Sequence, residues 1–140
     1  DNFIKHSKSL SEIKYINPNE DYDGYCNYIK KIDQLKAGLY FFTNLMKYKI
    51  CSLDNIVALC KELLHSLMIE MTHKNQMEYK EELLQSIFII IKEVLDYLLF
   101  HPEWEYIYNI IINLQKHPNI NPKLKFKCMD IIDFVKIHTR

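Results

Sequence analysis

Residues 79–100 read YKEELLQSIFIIIKEVLDYLLF, and this stretch decides the fold. Its apolar side chains are Leu83, Leu84, Ile87, Phe88, Ile90, Ile91, Val94, Leu95, Leu98 and Leu99. They keep a helical period, yet they spread over most of the helix circumference. Such a helix has to be covered on several sides at once. In a simple bundle of 140 residues that would be unusual. A stack of helix pairs does it readily, because an inner helix has neighbours before and after it. The segment therefore predicts an all-α solenoid with this helix near its middle.

Working outward, the same period predicts a helix on either side. From about Tyr25 to Lys47 the apolar positions are Ile29, Ile32, Leu35, Leu39, Phe42 and Leu45 or Met46. Ser52 is a good N-cap for a helix from Leu53 to about Met71, with Ile56, Leu59, Cys60, Leu63, Leu64 and Met68 as its stripe. Downstream, His101-Pro102 breaks the central helix and starts the next, since proline suits a first helical turn. That fourth helix carries Trp104, Ile107, Tyr108, Ile111 and Leu114, and Pro118-Asn119 ends it. Asn121-Pro122 opens a fifth, running to about His138 over Leu124, Cys128, Ile131 and Val135. Short connections make neighbouring helices antiparallel. The expectation is about five main helices, arranged as two hairpins and a closing helix, with no exact repeat period. Residues 1–24 differ. Phe3, Ile4, Leu10, Ile13 and Ile16 precede the turn-like Asn17-Pro18-Asn19 and the acids Glu20, Asp21 and Asp23. They read as a frayed helix end and a loop ahead of a helical domain at 25–140.

Composition removes several function classes. Only Gly24 and Gly38 are available, so no glycine-rich loop can cradle a phosphate and nucleotide binding is not expected. Lysine plus arginine (18) balance aspartate plus glutamate (18), which predicts no strong field for nucleic acid; RNA contact would have to come from local patches. Cys26, Cys51, Cys60 and Cys128 are far apart and read as reduced thiols of a cytoplasmic protein. The longest apolar run, Ile87 to Ile91, closes at Lys92 and Glu93, well short of a membrane span.

Candidate chemistry is sparse. His6, His65, His73, His101, His117 and His138 show no pair three or four apart, so no metal site is expected. Asp130 and Asp133 share one face of the fifth helix, where a solvated or ion-paired face is a better reading than a proton-sharing pair. No GxSxG and no cysteine beside a base appears, so no enzyme, cofactor or small-molecule substrate is expected. Lys123, Lys125 and Lys127 crowd the start of the fifth helix around Phe126. Cations there oppose the helix dipole; a solvated basic turn is the better reading, and contact with an acidic protein or a phosphate is the functional alternative.

Certain residues carry a resemblance. Asn44-Leu45-Met46-Lys47-Tyr48-Lys49-Ile50, followed by a capped helix ending Lys61-Glu62-Leu63-Leu64, resembles part of the middle domain of translation initiation factor 4 gamma. Glu81-Glu82-Leu83-Leu84 and Asp96-Tyr97-Leu98 are similar to the two ends of that family's next helix, and Tyr108-Asn109 falls where Phe-Asn-Gln occurs. The most specific match is Lys123-Leu124-Lys125-Phe126 with Asp130-Ile131-Ile132-Asp133, against Arg-Ile-Arg-Phe, three residues, then Asp-Val-(Ile/Leu)-Asp. The likeness spans residues 37 to 136. Departures are Ala37-Gly38-Leu39 for Gly-Asn-Ile, Glu93-Val94-Leu95 for Thr-Ile-Gly, and Lys125 for an arginine, which loses bidentate geometry. Phe134-Val135 stands for Leu-Arg, and the first two helix pairs of the full domain are missing.

The resemblance implies a HEAT-type α-solenoid acting as a cytoplasmic scaffold in translation initiation. Such a scaffold holds a DEAD-box RNA helicase half-open, with RNA as a further contact and no membrane partner. The partner-contact residues implied are Tyr108, Asn109, Lys123, Lys125, Phe126, Asp130 and Asp133, with Lys123, Lys125 and Lys127 for RNA. Two readings compete. Related middle-type domains serve nonsense-mediated decay, splicing and nuclear cap binding, and a general helical adaptor needs no RNA link at all.

Overall fold

The computed structural model describes residues 14–72 and 77–139. They form five helices: α1 (Tyr22–Lys47), α2 (Leu53–Glu70), α3 (Met77–Leu98), α4 (Trp104–Gln115) and α5 (Pro122–His138). No strand occurs among the described residues. The frayed helix end expected at residues 1–16 falls almost wholly outside them. In front of α1, Asn17 builds a turn: its carbonyl accepts from the Glu20 and Asp21 amides, and its side chain accepts from the Asn19 amide at 2.9 Å.

Each helix boundary has a local cause. Asp21 accepts from the Gly24 amide at 3.0 Å and starts α1 three residues earlier than the apolar period alone indicated. A Cβ at Gly24 would press on the Asp21 carboxylate, so a larger residue there would have to displace the capping side chain. α1 ends in a Schellman motif: the Ile50 amide donates to Leu45 O and the Lys49 amide to Met46 O, both at 2.9 Å. Ser52 caps α2 through the Asn55 amide, and Asn121 caps α5 through the Leu124 amide at 2.7 Å, with Pro122 in the first turn. α4 starts at Trp104 rather than at Pro102 and has no side-chain cap. Its approach is fixed instead by His101, whose Nδ1 accepts from the Glu103 amide while Nε2 lies 2.7 Å from Asp54 Oδ1. That network places the ring proton on Nε2.

Cross-helix partners give the direction of each helix. Tyr25 pairs with Glu78, Lys36 with Glu82 and Lys47 with Glu93. Both series rise together, so α1 and α3 run parallel. Glu81 with Lys123 and Phe88 with Phe134 make α3 and α5 parallel in the same way. Asp54 with His101 and Lys61 with Tyr106 do so for α2 and α4. Alternate helices thus lie side by side in two layers, α1–α3–α5 and α2–α4, and successive helices are antiparallel. This is an all-α, solenoid-like stack of helix hairpins. α3 sits at its centre, packed against α1, α2 and α5. Leu84, Ile87, Ile90, Ile91, Val94 and Leu98 are all fully buried, as the reading of that stretch required.

Three details differ from expectation. The close successive pairs are α2/α3 and α4/α5, so among the described helices α1 leads the stack, where α5 was expected to close it. Met68 is half exposed and Leu67 takes its place in the core, because Met68 faces the seam between α2 and α4. The last turn of α3 is offset by non-helical backbone at Val94 (φ −127°, ψ 19°). No helix among the described residues is long and apolar enough to cross a membrane.

Candidate functional site

Successive residues of a helix are about 100° apart, so α5 sorts its own side chains. Leu124, Cys128, Ile131, Ile132 and Val135 face the core. Opposite them, Phe126, Asp130, Asp133 and Ile137 recur at four, three and four residues and form one exposed ridge. Phe126 and Ile137 are each 62% exposed, so Phe126 is not a core residue. Asp130 and Asp133 are both exposed and take part in no ion pair among the described residues.

The structure does not bring the three lysines of α5 together. Lys123 and Lys127 share the flank toward α3, where Lys123 Nζ lies 3.3 Å from Glu81. Lys125 is two residues from each and therefore about 200° round the helix, on the far flank. The expected basic cluster is a cluster in sequence only. Tyr108 and Asn109 lie on α4, in the other layer. The Tyr108 ring stacks on Trp104 (5.5 Å between centroids, 17° between planes), and Asn109 is exposed. They do not join the α5 ridge.

What the layer does assemble is a groove across α1, α3 and α5, about 430 Å³ in volume. Leu84, Phe88, Ile89 and Ile131 line its apolar part, with Tyr40 at the α1 side. Lys36, Lys92, Lys127 and Asp130 bring the charge. Lys36 is engaged with Glu82 and donates to Gln85 Oε1 at 3.0 Å. The Lys92 ammonium lies 4.4 Å above the centre of the Phe88 ring. Neither Lys92 nor Lys127 has a carboxylate within ion-pair distance among the described residues. The aromatic surface runs on along the α3–α5 seam through Phe134, edge-on to Phe88 at 5.7 Å, and then His138. Sequence reading found Lys127 and Asp130 but missed Lys36 and Lys92. These lie about 90 and 35 residues upstream and meet α5 only through the parallel packing of the layer.

Elsewhere, an opening of about 510 Å³ lies where α1, α2 and α3 meet, walled by Ile32, Leu35, Leu63, Tyr79 and Leu83. Two smaller ones, about 330 and 150 Å³, adjoin between α2 and α4 at Met68 and Ile110. At the start of α1, Tyr28 is buried among Tyr15, Tyr25 and Tyr79. Burial and the charges of Glu78 and Glu82 push its hydroxyl well above the usual range. Burial also pushes the Cys60 and Cys128 thiols up to about 12, which leaves them as uncharged core groups at neutral pH. No group of three or more His, Cys, Asp or Glu residues among those described is placed to hold a metal ion. The arrangement is suited to binding: charged and apolar side chains presented on a rigid layer.

No family model matches the chain, and neither a curated protein nor a solved structure is similar to it.

Proposed function

We propose that the chain is a scaffold segment without chemistry of its own, and that it binds and positions the DEAD-box RNA helicase of translation initiation in the cytoplasm. The reading rests on the resemblance of residues 37–136 to the middle domain of initiation factor 4 gamma. One observation carries it furthest. Phe126, Asp130 and Asp133, within the most specific part of that resemblance, stand together on an exposed ridge, and neither aspartate has an ion-pair partner among the described residues. Residues kept for packing would face inward. A scaffold of this kind acts by differential affinity. It touches the helicase in one relative placement of its two lobes more favourably than in another, and shifts the population accordingly.

The test is binding of the helicase by the chain, with and without RNA and ATP, read by biolayer interferometry and by ATPase stimulation. Wild-type chain is expected to bind, and an Asp130→Lys/Asp133→Lys variant to bind at least tenfold more weakly. No binding by wild type, or equal binding by the variant, overturns the reading. The scaffolds of decay, splicing and nuclear cap binding belong to the same class and are separated by which helicase or partner is bound. A second reading, a general protein-binding adaptor, is favoured by the apolar seam between α2 and α4, where Met68, Ile69 and Tyr106 are each at least half exposed.

A further inference from the structure

We propose that the groove across α1, α3 and α5 is a docking site for an acidic segment of a protein partner, one that inserts a single bulky apolar side chain. The inference deepens the scaffold reading and rests on it only for the partner's identity. Charge and shape give the chemistry. Four lysines at the helix seams are matched: Lys36 with Glu82, Lys47 with Glu93, Lys61 with Glu103 and Lys123 with Glu81. Lys92 and Lys127 border the α3–α5 seam and have no such match. Lys92 lies over the Phe88 ring, so its charge sits beside the apolar floor without being neutralised. Carboxylates from outside would complete both.

Beside the two lysines the groove exposes parts of Phe88 and Ile89 above the buried Ile131, and it is roomy enough for one tryptophan or phenylalanine side chain. A buried aromatic anchor flanked by charge pairs is the usual make-up of a binding hot spot. RNA fits less well. Nucleic-acid affinity grows with the number of phosphates neutralised, and Glu81, Glu82, Glu93 and Asp130 belong to the same layer as the lysines. A continuous polyphosphate would meet those carboxylates. A peptide can space its acids to avoid them.

The probe is a phage-displayed library of random 16-residue peptides, selected on the chain and counter-selected on a Lys92→Glu/Lys127→Glu variant. Thermal unfolding of every variant establishes that it is folded. The expected winners combine Asp or Glu with Trp, Phe or Leu. Made synthetically, they should bind one to one, at least tenfold more weakly to the double variant and to Ile89→Asp, and unchanged to Lys116→Glu, which lies beyond α4 in the other layer. Winners without acids, no winners, or equal affinity for the double variant would overturn the proposal. So would tighter binding of a 16-nucleotide uridine RNA that the double variant loses. The helicase assay separates the two readings. Peptide binding without helicase binding removes the helicase and keeps the groove. Helicase binding that the double variant retains, with no acidic winners, removes the groove and keeps the scaffold.

Discussion

Lys49 has φ 64°, and among the described residues it is the one non-glycine in that left-handed region. It occupies the position after the α1 cap where glycine is favoured, since the Schellman hydrogen bonds demand a conformation that crowds a Cβ. Lys49 is also exposed and makes no ion pair among the described residues, so little else depends on its side chain. Lys49→Gly is expected to raise stability by up to about 1 kcal/mol, the left-handed strain outweighing the greater freedom of glycine in the unfolded chain. Urea unfolding reads this as a higher midpoint at unchanged slope, and a lower midpoint would contradict it. At the candidate site, the residue scale is also where sequence misleads most. Lys123 and Lys125 look like one patch when written in a line. The 200° between them puts them on opposite flanks.

At the scale of elements, the α1–α3 seam shows how register is held. Tyr25, Lys36 and Lys47 are eleven residues apart, three helical turns, and so lie along one edge of α1. They meet Glu78, Glu82 and Glu93 in order. The Tyr25 hydroxyl donates to Glu78, and this bond pushes its pKa from 10.0 up to about 12. A folded-state value above the unfolded one means the contact stabilises fully below pH 10 and is lost as pH rises toward 12. Urea midpoints measured from pH 9 to 12 should therefore fall less steeply for Tyr25→Phe than for wild type. Identical slopes would mean that the bond does not couple to ionisation. Helix boundaries were legible in sequence where a side chain makes them, as at the starts set by Ser52 and Asn121-Pro122. They were not legible at Val94 or Trp104, where the backbone answers to neighbouring helices and to His101.

At the scale of the molecule, stability should concentrate in α3, which three helices cover. Ile90 is fully buried there, and Ile90→Ala is expected to cost about 2–5 kcal/mol by leaving a cavity in a layer that cannot easily close. Phe126→Ala, on the open ridge of α5, should stay within about 0.5 kcal/mol of wild type despite removing a larger side chain. Chemical denaturation of the two variants makes the comparison. Equal losses would mean that Phe126 is packed against something in solution and the ridge is not free.

The sequence by itself determined the five helices among the described residues and the central place of α3, because helical period and apolar breadth are local properties of the chain. It also supplied the ridge, since Phe126, Asp130 and Asp133 obey one helix's geometry. Only the tertiary structure decided the layers, the leading position of α1 and the groove of Lys92 and Lys127. Those depend on which face of α1 meets which face of α3, and no spacing within a helix records that. Leu84, Ile87 and Ile91 show where the stretch at 79–100 had to be covered. Glu78, Glu81, Glu82 and Glu93 on its flanks, each paired to α1 or α5, show by what.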